Sequence, residues 1–157
     1  MGHHITAIVL KGKYNDNVAK EFDLFAVRLI DELTLFHIDL YYTEFWQEKL
    51  NVQGYLEINK IDDLLQPNEK VILTLLQNIT SCDAPEFALI ATDYHGGQGF
   101  QSASVFKGDV NMDSTIKTIN LALKYLGVKR TSEHDEFECV GLQNIRYQPE
   151  YLEKYFG

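Results

Sequence analysis

The sequence predicts a single α+β domain over residues 1–157, a mainly antiparallel sheet packed by three to five helices. Three stretches carry that expectation. Phe87–Tyr94 and Phe100–Phe106 are runs rich in aromatic and apolar residues on either side of His-Gly-Gly-Gln-Gly, the pattern of a hairpin. His4–Lys11 alternates and is rich in β-branched residues, as a core strand does. Ile116, Ile119, Leu123 and Leu126 form an apolar stripe at helical spacing, and Gly127 is placed to end it in the left-handed conformation.

Taken in order, the first strand ends at Gly12, and Asn15-Asp16-Asn17 offers capping oxygens for a short helix through Phe22. Ala26–Ile30 and Leu33–Leu40 are two apolar runs divided by Asp31-Glu32, read as a second hairpin. One helix over 17–40 is the alternative, since Ala26, Ile30, Leu33 and His37 also share a helical face. Tyr41–Leu50 reads as a short aromatic helix with Thr43 as its cap and with Phe45, Trp46 and Leu50 near helical spacing. A short strand over Tyr55–Ile58 and a helical turn over 61–65 follow. Pro67 suits the first position of a helix that Val71, Ile72, Leu75, Leu76 and Ile79 carry to about Thr80. Lys107-Gly108-Asp109 turns the chain, Asp113 or Ser114 caps the helix of the apolar stripe, and Pro149 opens a last short helix through Tyr155.

The central hairpin has a testable register. With Tyr94 opposite Phe100, the two-residue alternation places Asp93 and Gln101 on one face beside the loop, together with Leu89, Ala91, Ala103 and Val105. Asp93, Tyr94, His95, Gly96, Gly97, Gly99 and Gln101 then form a candidate ligand site at the hairpin tip. The plainer reading is that the three glycines supply the positive φ angles of the loop. The loop lacks the G-K-[ST] ending of a phosphate loop and leads into a strand.

A net charge of −9 over 157 residues opposes contact with phosphate backbones and anionic lipid, so neither nucleic acid nor a membrane is an expected direct partner. A basic protein is. A hydrophobic content of 45 % with 24 % charged residues is that of a globular chain. No window approaches a membrane span or a signal peptide, which points to the cytoplasm. The match of Met1–Thr6 to an acylation pattern is set aside because Ile5–Leu10 reads as a core strand. Cys82 and Cys139 have no metal spacing and read as buried free thiols.

The chain carries no G-x-S-x-G elbow and no reactive cysteine signature. His37, Asp39, Asp93, His95 and His134 fall in no zinc-binding spacing, and neither a metal nor a cofactor is expected; His37 and Asp39 share a face only if both lie on one strand. Asp93 with His95 is a candidate acid/base pair, as a carboxylate beside an imidazole fixes its tautomer. Glu133, Asp135, Glu136 and Glu138 place four carboxylates in one short run, a candidate partner-binding patch, with a solvated face as the plainer reading.

Thr92–Gln101 followed by Ile119–Val128 resembles a family of small uncharacterised bacterial cytosolic proteins. These pair a Tyr-x-Gly-Gly-x-Gly-x-Gln hairpin with an Asn-x-Ala-Leu-x-x-Leu-Gly-Val helix. The resemblance implies a bacterial origin and one α+β unit, and names no activity. His95 stands where an aromatic residue is commoner, so it implies no shared catalytic histidine. Two functions remain as expectations. One is a non-enzymatic acidic binding protein, in its sharpest form an immunity protein neutralising a basic, nuclease-like toxin. The other is a small-ligand-binding protein or enzyme using the loop around Asp93 and His95. A homodimer through the aromatic helix stays open.

Overall fold

In the computed structural model, which describes residues 2–30, 32–59 and 66–156, six antiparallel strands form one sheet in the order β2-β3-β1-β4-β5-β6. The strands are β1 Thr6–Lys11, β2 Val27–Arg28, β3 Leu33–His37, β4 Glu86–His95, β5 Gln98–Lys107 and β6 Val110–Asn111. Five α-helices cover it: α1 Asp16–Glu21, α2 Leu40–Lys49, α3 Val71–Thr80, α4 Ile119–Tyr125 and α5 Glu136–Cys139. Two 3-10 helices, Leu142–Asn144 and Glu150–Tyr155, complete the described elements. The α+β class is as the sequence predicts, and residues 26–40 take the hairpin reading rather than the single helix.

Strand alternation divides the buried residues between two layers. Ile8, Leu10, Phe36, Phe87, Leu89 and Phe106 face one side and pack on α2, α3 and the terminal 3-10 helix. Ala7, Val9, Leu35, Ala88, Ile90, Ala103 and Val105 face the other and pack on α4 and the segment through Leu142. Both faces of the antiparallel sheet are therefore covered, which explains why β1 is apolar at four consecutive buried positions instead of alternating with polar residues.

Several boundaries move for identifiable reasons. Asp39, not Thr43, caps α2 by accepting from the Tyr42 N–H at 2.8 Å, while the Thr43 hydroxyl donates to Glu69 Oε1 at 2.7 Å. Pro67 does not open α3. Leu56 N–H donates to Asn68 O and Tyr55 bridges Glu69, so the chain stays extended there and the helix begins at Val71. That bridge is all that forms of the expected strand over Tyr55–Ile58, and the helical turn expected over 61–65 lies outside the described residues. Asp113 closes its own turn by accepting from Thr115 N–H at 2.9 Å, and Thr118 caps α4 instead. Gly127 follows α4 at φ +105°, where any side chain is strained. Cys82 is exposed and Cys139 half-buried, so the expected burial of both thiols does not hold.

Candidate functional site

The register of the central hairpin decides which side chains meet. Gly96 and Gly97 occupy the two central turn positions with φ of +60° and +82°, a two-residue turn closed by the pair His95 and Gln98. Tyr94 therefore lies opposite Gly99 and Asp93 opposite Phe100. The expected pairing of Tyr94 with Phe100 is off by one residue, and such a slip turns every side chain of β5 to the other face. Asp93 and Gln101 stand on opposite faces of the ribbon, and Leu89 is on the face opposite Ala103 and Val105. Gly99 is required by contact rather than by the turn. A Cβ there would sit 1.9 Å from Asp93 O.

On one face, Asp93 Oδ1 lies 3.1 Å from His95 Nε2 and 3.2 Å from His4 Nδ1. The sequence expectation paired Asp93 with His95 alone; antiparallel extension of the chain before β1 adds His4. All three side chains are open to solvent, so water competes for each contact.

The other face forms a cleft. Tyr94 and Gln101 from the hairpin, Ile119 and Asn120 from α4, Asp135 and Phe137 at α5, His3, Gln143 and Arg146 enclose about 340 Å³. Its hydrogen bonds assign donors and acceptors. Ile119 N–H donates to Gln101 Oε1 at 2.7 Å, so the Gln101 amide nitrogen faces Tyr94 and donates to its Oη at 3.1 Å. The Tyr94 hydroxyl proton is thereby left for the cleft. Phe137 N–H donates to Asn120 Oδ1 at 2.8 Å, and Asn120 Nδ2 donates to Asp135 Oδ2 at 3.1 Å. Glu138 N–H donates to Asp135 Oδ1 at 2.9 Å, and this bond leads the causes that hold the Asp135 carboxyl below its ordinary range.

His3 Nε2 lies 2.8 Å from Leu142 O, an acceptor only, so Nε2 carries the proton. Thr92 Oγ1 accepts from Ile5 N–H at 3.0 Å and lies 2.7 Å from His3 Nδ1, so both ring nitrogens of this imidazole are engaged. Gln143 Oε1 is buried with no hydrogen-bond partner, and Arg146 donates from Nη1 to Gly2 O at 3.2 Å.

The acidic run is divided by its local structure. Asp135 is the cap of α5, and Glu136 is buried at 5 % exposure. Glu138 lies 3.5 Å from His134, which leaves Glu133 and Glu138 as the carboxylates at the surface. The run is thus a helix start more than a continuous patch. His37 and Asp39 do not share a strand face, since Asp39 lies beyond β3 as the cap of α2. Burial lowers the His37 imidazole to about 4 and raises the Asp39 carboxyl. Among the described residues no group of three or more His, Cys, Asp or Glu side chains is placed to hold a metal ion. Among them, too, no helix is long and apolar enough to cross a membrane.

A second surface lies on the far side of the sheet. In α2, Tyr42 and Trp46 point into the core, while Tyr41 and Phe45 remain 45 % and 44 % exposed. Tyr41 meets Phe156 at 4.8 Å between ring centroids, and Phe45 meets Tyr155 at 5.1 Å. Phe156 itself is 69 % exposed. Burial raises the Tyr155 hydroxyl, which bonds Asp23, and pushes Tyr151 up to about 12. Glu44, Glu48 and Glu153 are exposed on the same two elements.

Sequence reasoning named Tyr94, Gly97, Gln101 and Asp135 of the cleft but not His3, Gln143 or Arg146 as its lining. Those three come from segments with no periodic signal, brought in by pairing across the sheet. The sequence reading places Phe45 with Trp46 in the core, whereas only Trp46 is buried; the four-residue spacing of Tyr41 and Phe45 on a helix is the signal that could have found the aromatic surface. Compared with known protein families, curated proteins and solved structures, the chain matches none.

Proposed function

We propose that this chain is a non-enzymatic acidic binding protein whose partner is a basic protein, in its sharpest form an immunity protein that neutralises a basic, nuclease-like bacterial toxin in the cytoplasm. The observation that carries this reading is the aromatic surface of α2 and the terminal 3-10 helix, where Tyr41, Phe45 and Phe156 are exposed together with Glu44, Glu48 and Glu153. Aromatic side chains held by edge-to-face and tilted ring contacts lose little entropy on binding and form the centre of tight interfaces. The net charge of −9 speeds encounter with a basic partner and imitates the anionic substrate of a nuclease. A second copy carries the same net charge and so lacks the long-range attraction a basic partner would have. Glu133 and Glu138 extend the negative field without needing to touch the partner.

The test is affinity capture from bacterial lysate at low salt with the wild-type chain and with Phe45→Ser. The reading expects one stoichiometric basic protein, released as salt rises and absent from the variant, whose melting point stays near wild type. Retention of no protein at low salt, or equal retention by the variant, contradicts it. A dimer of the chain lost on Phe45→Ser would replace the basic partner with a second copy.

A second reading, a small-ligand-binding protein or enzyme at the hairpin tip, is supported by the convergence of His4 and His95 on Asp93. Asp93→Asn should then abolish a ligand-induced rise in melting point. The openness of all three groups makes it the weaker of the two, because acid/base chemistry gains most from a dry site.

A further inference from the structure

We propose that the cleft between the β4–β5 hairpin and α4–α5 binds a small zwitterion, a free α-amino acid with an apolar side chain. This site lies on the face of the ribbon opposite Asp93 and His95, and it is independent of the aromatic surface assigned to a protein partner.

Some polar groups of the cleft are spent on its own walls and others are left unused. His3 and Thr92 spend their polar atoms on each other and on the backbone. The Gln101 and Asn120 oxygens accept from backbone N–H groups, and their amide nitrogens each commit one of two donors, to Tyr94 and to Asp135. Four further polar groups retain capacity. Tyr94 has a hydroxyl proton to give, because its oxygen already accepts from Gln101. Arg146 has a guanidinium whose bond to Gly2 O occupies one of its five N–H donors. Opposed to these two donors are two acceptors: the ionised Asp135, held by the Glu138 N–H, and the unpartnered Gln143 Oε1. A buried amide oxygen with no partner is costly to the free protein, and rotation of the Gln143 side chain toward the cleft it lines would let a ligand N–H relieve it.

A cation and a phenol on one hand, an anion and an amide oxygen on the other, are the complement of a carboxylate and an ammonium on one molecule. A simple anion would satisfy Arg146 and meet repulsion from Asp135. A simple amine would do the reverse. Phe137, fixed against His3 at 5.3 Å between centroids, and Ile119 supply apolar wall for a side chain. The volume of about 340 Å³ is at the small end of ligand cavities, which suits a single amino acid rather than a nucleotide.

The experiment is calorimetric titration of the full chain with leucine and with phenylalanine, beside 4-methylpentanoate and isoamylamine, which carry only the acid or only the amine. The proposal expects saturable one-to-one binding of at least one amino acid in the millimolar range or tighter. It expects each half-molecule to bind weaker by about tenfold or more. Arg146→Gln should remove binding. Since that change also frees Gly2, Gln143→Leu serves as the second variant: it deletes an unpartnered acceptor, should leave the melting point unchanged or higher, and should weaken the amino acid by about tenfold. Absence of saturable binding by either amino acid overturns the proposal. So does binding that neither variant alters, or a carboxylic acid that binds as tightly as the amino acid.

Discussion

The two faces of the sheet are built from alternate residues of the same strands, yet they differ in side-chain size. On the α2–α3 side, Phe36, Phe87 and Phe106 fill the layer, with Phe87 and Phe106 stacked at 5.3 Å. On the α4 side, Ala7, Ala88, Ala103 and Ala122 bring helix and sheet close. The large layer runs on through Tyr42 and Trp46 into aromatics that reach solvent. The small layer ends in polar bonds from Gln101, Asn120 and Asp135, and those bonds frame a cleft. The difference teaches that bulk propagates outward as an apolar surface, whereas close packing hands over to polar groups at its edge. The proposed partner surface belongs to the first regime and the proposed amino-acid site to the second.

Four changes would break or sharpen that contrast. Phe87→Ala should cost about 3–5 kcal/mol, read by chemical denaturation, because neighbouring rings cannot close the cavity. A loss much smaller than this would mean that the large layer relaxes and is not the rigid half. The second change is in pH. His37 is buried at 6 % exposure, and its imidazole is lowered to about 4. The unfolded chain binds this proton below its ordinary value of about 6.5 and the folded chain only below about 4, so stability is full above the first and falls as pH drops toward the second. The loss should reach about 3 kcal/mol, and denaturation of His37→Gln across the same range should lack it.

Gly99→Ala should cost about 2 kcal/mol by forcing apart the strands at the rim shared by hairpin and cleft. It should also disturb Tyr94 more than Trp46, which tryptophan fluorescence can report as an unchanged emission. Smallest is Gly127→Val, expected at about 1 kcal/mol from the left-handed backbone after α4. Thermal melting that shows no loss would place that backbone outside the left-handed region.

Much of the architecture was legible because it is written in short-range chemistry. The β-branched, apolar run of β1, the Asn15 cap of α1, the hairpin with its glycines, and the stop at Gly127 all depend on residues within one turn or one strand. What escaped depended on partners far along the chain. Thr43 looks like a cap until Glu69 takes its hydroxyl, and Pro67 looks like a helix start until Tyr55 and Leu56 pair with the residues after it. The hairpin register turned on whether two or three residues make the turn, a difference that composition alone does not settle and that moved Gln101 from beside Asp93 to the opposite face. Of the cleft, the hairpin half was readable, but Gln143 arrives from the one-turn 3-10 helix Leu142–Asn144 and Arg146 from the irregular chain after it, both too short for a period to mark an inward side.

The most direct measurement is an amide-exchange map of the chain with and without the captured basic partner. The account predicts new protection over α2 and the terminal 3-10 helix, with the β4–β5 tip and α5 unchanged. Protection confined to the cleft or to the Glu133–Glu138 run, with α2 untouched, would contradict it.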